Sequence, residues 1–146
     1  MCMIDITDKS EVYREATAEG KIQLRKETVR LIKERKIEKG DPLYTAEIAG
    51  ILAAKNTSSI IPLCHPIPVT SVKLDAKIVN ESNVAVQATV KTKAQTGVEM
   101  EALLATAVAL LTIWDMTKMY EKDRQGQYPY TCIRDIQVLQ KTKGTE

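Results

Sequence analysis

Phenylalanine is absent from this 146-residue chain, and tryptophan and histidine occur once each. A sheet that binds RNA by stacking needs exposed aromatic rings on its strands. With Trp114 in an apolar helical stretch and five tyrosines elsewhere, that class is set aside. Cys2, Cys64 and Cys132 are an odd number with no CxxC spacing, so neither a disulfide framework nor a zinc knuckle is indicated, and a reducing compartment is expected. No charge of one sign dominates. Against 19 acidic residues stand 21 basic ones, a net +2 that is too balanced for a domain whose partner is nucleic acid. The longest uncharged helical stretch, Ala102 to Trp114, has 13 residues and falls short of the roughly 20 that cross a bilayer. No secretory leader precedes Asp5, so a cytoplasmic protein without a membrane anchor is expected. A GxxxxGK[ST] phosphate loop is also missing, which excludes a P-loop nucleotidase.

The residues present, 44% hydrophobic and 27% charged, suffice for one domain over 1–146, with 1–9 as an N-terminal arm and 141–146 as a tail. Val12 to Leu24 partly alternates in polarity and predicts a strand bent at Gly20. Lys26 to Lys36 predicts a short amphipathic helix. Asp41 and Pro42 suit the cap and first position of a second helix that runs to Lys55 and closes at Asn56. Three prolines within Ile60–Pro68 forbid both helix and central strand. Val69–Val79 and Val84–Lys93 read as a hairpin around Asn80-Glu81-Ser82-Asn83. Thr96 and Glu99 have the spacing of a capping box before a helix to about Lys122, which is expected to be buried nearly all round. A last strand is expected over Thr131–Leu139. The order predicts an α+β fold: a ferredoxin-like split βαββαβ sandwich with one extra helix, its antiparallel sheet covered by helices.

Reactive groups collect at four places. Leu63-Cys64-His65-Pro66 holds the single histidine on a proline-stiffened backbone; adjacent Cys and His side chains rarely converge on one ion, so no metal site is expected. Glu99-Met100-Glu101 opens the apolar helix, and Glu99 is accounted for by the cap whereas Glu101 is not. Asp115 and Lys118, spaced i, i+3 at its other end, share a face where, in a desolvated cleft, an acid and an amine could exchange protons. Lys39 and Lys55 bracket the second helix and, with Arg14, could hold a polyanion. Glu99 and Asp115 are 16 residues apart on one helix, roughly 24 Å at 1.5 Å per residue. One small-molecule pocket in one chain cannot include both, so catalysis by both ends requires sites shared between chains. Whether Lys39 and Asp115 belong to one chain is left open.

DITDK (5–9), REATAEG (14–20), KGDPLYTAEIAGILAAK (39–55), IPLCHPI (61–67), TGVEMEAL (96–103) and LTIWDMTK (111–118) together resemble the molybdenum cofactor biosynthesis protein C family over nearly the whole chain. The resemblance implies a lyase, cyclic pyranopterin monophosphate synthase, acting on 3′,8-cyclo-7,8-dihydroguanosine 5′-triphosphate from an upstream radical GTP cyclase and releasing diphosphate. It implies Asp115 as catalytic acid/base, Lys118 as its neighbour in proton transfer and Lys39 as a further catalytic residue. Leu63, Cys64, His65, Glu99, Met100 and Glu101 would bind substrate, with Lys55 and Arg14 meeting the triphosphate. No organic cofactor is implied; magnesium could accompany the phosphates without a protein site of its own. The implied assembly is a homohexamer, a trimer of dimers with sites at the dimer interface. The family's GGKSG-like tail is replaced by Lys143-Gly144-Thr145-Glu146, so the tail is left out of the expected site. The alternative is a non-catalytic ferredoxin-like module that binds a nucleotide.

Overall fold

A computed structural model describes residues 1–145. Its elements are β1 (Val12–Gln23), α1 (Lys26–Lys33), α2 (Pro42–Lys55), α3 (Thr57–Ile60), β2 (Val69–Asn80), β3 (Asn83–Ala94), α4 (Glu99–Glu121) and β4 (Cys132–Lys143). The four strands form one antiparallel sheet in the order β2-β3-β1-β4, the ferredoxin-like arrangement expected from the sequence, with α1 and the single turn α3 as additions to it. Alternation decides the two faces. Ala16, Ala18 and Ile22 of β1, with Val84, Val86, Ala88 and Val90 of β3, are buried under the helices, while Glu15, Thr17, Glu19 and Lys21 project from the opposite face.

Small residues set the helix spacing. Ala46, Gly50, Ala53 and Ala54 of α2 are buried, and a Cβ at Gly50 would lie 3.0 Å from the Ala105 carbonyl of α4. That contact, with Lys39 against Asp115, makes α2 run antiparallel to α4. By length and composition alone α4 could cross a membrane, but half of its most apolar window is buried, and it is the core helix of this sandwich.

Punctuation in the sequence works as expected at α2 and the hairpin. Asp41 Oδ1 accepts from the Leu43 and Tyr44 amides at 3.0 and 3.2 Å, with Pro42 in the first turn. Asn56 closes α2 by donating to the Leu52 carbonyl. In the hairpin, Asn80 pairs with Asn83 across the turn, and the Ser82 amide donates to the Asn80 side chain.

Five expectations are corrected. The first helix stops at Lys33, because Arg35 adopts φ 56° and the Lys36 amide turns back to the Leu31 carbonyl. The irregularity expected in β1 at Gly20 belongs to the partner strand: β1 keeps its register with β3, while the pairing with β4 shifts between Glu19 and Lys21, where Asp135 of β4 has φ 58°. A Cβ at Gly20 would meet Leu110 Cδ1 at 2.7 Å and Ile136 Cγ1 at 2.9 Å, so the glycine admits the close approach of α4 and the bulged strand. The capping box does not form. Val98, not Thr96, is the residue before α4 and makes no side-chain cap; Glu99 turns outward to Lys141. Nor is α4 buried all round, since Met100 and Leu111 are exposed, the latter by 57%. Finally, β4 extends past Leu139 to Lys143, so much of the expected tail is strand paired with β1; Glu146 lies outside the described residues.

Candidate active site

The loop before α2 and the last turns of α4 build the first cluster. The Glu38 amide donates to the Tyr120 hydroxyl at 2.9 Å, and Gly40 takes φ 116°, a conformation that strains any residue with a Cβ. Between them, Lys39 Nζ reaches Asp115 Oδ2 at 2.9 Å and the Asp115 carbonyl at 3.0 Å. From one turn along α4, Lys118 Nζ meets Asp115 Oδ1 at 2.9 Å. Each carboxylate oxygen is thus held by one ammonium. Lys118 first and Lys39 second pull the Asp115 carboxyl down to about 2, and the same contact raises the Lys118 ammonium. At neutral pH Asp115 is therefore ionised and the proton it shares with Lys118 sits on the amine. The expected desolvation is not present in the single chain, where the Asp115 side chain is 56% exposed. Lys39 and Asp115 are paired within one chain. Beside them, Leu111, Trp114 and Ile133 complete a shallow cleft of about 330 Å³, and Tyr128 packs edge-on against Trp114 with ring centroids 5.3 Å apart.

The second cluster surrounds the start of α4. Glu101 is buried, with 2% exposure, and its Oε2 has no hydrogen-bond partner among the described residues. Burial pushes its carboxyl up, and the Glu99 charge adds to that. Cys64 Sγ lies 4.0 Å from Glu101 Oε1, its thiol raised by burial and then by the Glu101 charge. His65 is half-buried next to it, and Leu63 and Met100 are exposed at the same end. Lys55, the last residue of α2, stands at this end as well, because α2 and α4 are antiparallel. Arg14 gives Nε to the Ala94 carbonyl at 3.1 Å and a terminal nitrogen to the Gln95 carbonyl at 3.2 Å. With Gly97, Glu99, Lys141 and Lys143 it lines a pocket of about 140 Å³. Burial pushes Glu99 up, but its 2.9 Å bond from Lys141 and the nearby Arg14 charge outweigh that and hold the carboxyl below its usual range.

The structure thus sorts the residues singled out in the sequence into two ends of α4. Lys39, Asp115 and Lys118 stand at one end; Arg14, Lys55, Leu63, Cys64, His65, Glu99, Met100 and Glu101 stand at the other. Lys39 does not join Lys55 and Arg14. Sequence reasoning missed Lys141, assigned to the tail, and the Trp114–Tyr128 wall; the polar run Gln140-Lys141-Thr142-Lys143 carries no alternation that would mark a longer β4. Among the described residues no three His, Cys, Asp or Glu side chains gather as a metal site.

Known proteins are similar to this chain over nearly its whole length. A probable cyclic pyranopterin monophosphate synthase of Sulfurisphaera tokodaii is 57% identical over 97% of this chain and 93% of its own length. One of the same name from Sulfolobus acidocaldarius is 55% identical over 97% of this chain and 99% of its own. A Methanothermobacter thermautotrophicus protein, named probable cyclic pyranopterin monophosphate synthase accessory protein, is 52% identical over 97% and 88%. The MoaC family model matches residues 3–144, and with both clusters and the ferredoxin-like scaffold in place, the chain belongs to the MoaC family.

Proposed function

We propose that this chain is a cyclic pyranopterin monophosphate synthase, a lyase of molybdenum cofactor biosynthesis that converts 3′,8-cyclo-7,8-dihydroguanosine 5′-triphosphate and releases diphosphate. The observation that carries the reading is Asp115 held between Lys39 and Lys118 at 2.9 Å each. Opening one ring and closing another needs several proton transfers at fixed positions. An ionised carboxylate that orients two ammonium groups supplies donors on both sides of a reacting atom, and the same cations stabilise charge on departing diphosphate. Leu111, Trp114 and Ile133 offer an apolar wall for a heterocycle. No resident organic cofactor is required; magnesium belongs with the substrate's phosphates.

A complete site takes one end of α4 from each of two chains. The roughly 24 Å between the clusters supports this. So does the exposed apolar face that Tyr44, Ile48 and Leu52 form along α2, four residues apart. The chain exposes 8589 Å², whereas a monomer of its mass would expose roughly 7,500 Å². We assign that face to a second copy, within a homohexamer built as a trimer of dimers. A radical GTP cyclase upstream supplies the substrate, in the cytoplasm.

The test is turnover with the cyclised dihydro-GTP, following the pterin by fluorescence after oxidation together with diphosphate. Wild-type protein should yield both, and Asp115→Asn should lose at least about 100-fold in kcat while still binding substrate. A folded oligomer that binds the compound and releases neither product would refute the synthase reading in favour of an accessory or nucleotide-binding role. Assembly is tested by exchanging subunits of Asp115→Ala and Arg14→Ala proteins. Sites shared across a two-fold axis should recover up to about a quarter of wild-type activity; no recovery after verified exchange would place each site within one chain.

A further inference from the structure

Residues 4–7 of the N-terminal arm take no part in either cluster, yet the segment is pinned at two points beside the second. The Ile4 carbonyl lies 2.7 Å from His65 Nε2, and the Thr7 carbonyl accepts from Gln95 Nε2 at 3.2 Å. Between these pins the chain holds a tight local turn. Asp5 Oδ1 accepts from the Thr7 amide at 2.9 Å and the Thr7 hydroxyl at 2.6 Å, and the Lys9 amide donates to the Ile6 carbonyl. The arm therefore ties the proline-stiffened Cys64–His65 loop to the end of β3 that leads into Glu99, across two segments otherwise far apart in sequence.

A carbonyl oxygen can only accept, so the ring nitrogen that faces Ile4 must carry a proton. The neutral ring is then fixed as the Nε2–H tautomer, and Nδ1 is left as the acceptor. We propose that residues 4–7 are a positioning strap for His65, which selects this tautomer and fixes the ring plane so that Nδ1 is the atom offered to substrate. The proposal deepens the synthase reading, resting on it for the substrate but not for the tautomer. His65 is the binding residue; Ile4, Asp5 and Thr7 act through it.

Because the chain has one histidine, its imidazole gives a single set of nitrogen signals. Long-range proton–nitrogen correlation on ¹⁵N-labelled protein, at a pH where the ring is neutral, should show Nε2 protonated and Nδ1 bare in the full chain. A chain lacking residues 1–6 should show both nitrogens averaged between tautomers. Asp5→Ala, which loosens the turn but keeps the Ile4 carbonyl, should shift the average part of the way. In turnover assays the truncated chain should lose about tenfold in kcat/KM, the scale of one oriented hydrogen bond. A full chain with the proton on Nδ1, or a truncated chain with an unchanged tautomer, would overturn the proposal. The spectra need no substrate, so if wild-type turnover is absent while the tautomer responds to the arm, the synthase reading fails and the strap stands.

Discussion

Glu121 should be the costliest single polar residue to remove from this fold. It ends α4, is completely buried, and its carboxylate collects three donors, two from the start of α1 and one from the loop before β4. The Arg25 amide lies 3.1 Å from each oxygen, the Thr131 hydroxyl is 2.6 Å from Oε1, and the Thr28 hydroxyl donates to Oε2. Arg25, which precedes α1, has no capping side chain of its own, so the start of α1 is capped by a residue 96 positions away. Glu121→Met keeps the length of the side chain and removes every acceptor. The two hydroxyls can turn toward other oxygens, but the backbone amide cannot, and a buried donor left without a partner costs about 1–3 kcal/mol. Summed over three donors of unequal freedom, Glu121→Met should cost about 3–5 kcal/mol. Glu121→Gln keeps one oxygen for the amide and can exchange roles with a threonine, for about 1–2 kcal/mol. Urea unfolding at one fixed protein concentration measures both, since association contributes to apparent stability. Should methionine prove no worse than glutamine, or cost under about 1 kcal/mol, the carboxylate is not holding these elements together and the reasoning fails.

Two further outcomes follow from particular side chains. Glu101 is raised by burial, so its folded form binds a proton more tightly than the unfolded chain does. Its contribution to stability is complete below the unfolded value near 4.3 and is lost as pH rises through the folded one. Glu101→Gln should therefore gain stability relative to wild type at pH 8 compared with pH 4 while losing activity; an equal difference at both pH values in urea melts would sink this account. Gly40→Ala, at φ 116° with open space around it, should cost about 1–3 kcal/mol of backbone strain and lower kcat by displacing Lys39. A variant with wild-type kcat would show that the loop holds Lys39 without the glycine.

Local signals were legible where neighbours in sequence determine the outcome. Asp41-Pro42, the Asn80–Asn83 turn and the alternation of β2 and β3 involve short spans, and each forms as written. The separation of the two clusters was legible too, because helix rise is fixed. What the sequence could not reveal depends on partners far along the chain. Glu99 has the spacing of a cap, but Lys141, 42 residues on, draws it away. Lys39 pairs with Asp115 across 76 residues, so its grouping with Lys55 and Arg14 could not be tested by spacing. The exposed stripe on α4 was hidden for another reason: an apolar helix reads alike whether its last face meets its own core or another chain.

The 23-residue α4 is also a ruler. Removing one residue from its middle would shorten it by about 1.5 Å and turn Asp115 about 100° relative to Glu101. The shift alone would be tolerable, but the rotation would carry the carboxylate away from Lys39 or expose Glu101, since no adjustment keeps both. Length changes in this chain are therefore confined to places such as the turn between β2 and β3, where nothing downstream depends on angular phase. The helix sets not only what the two chemical ends contain but the angle at which each is presented.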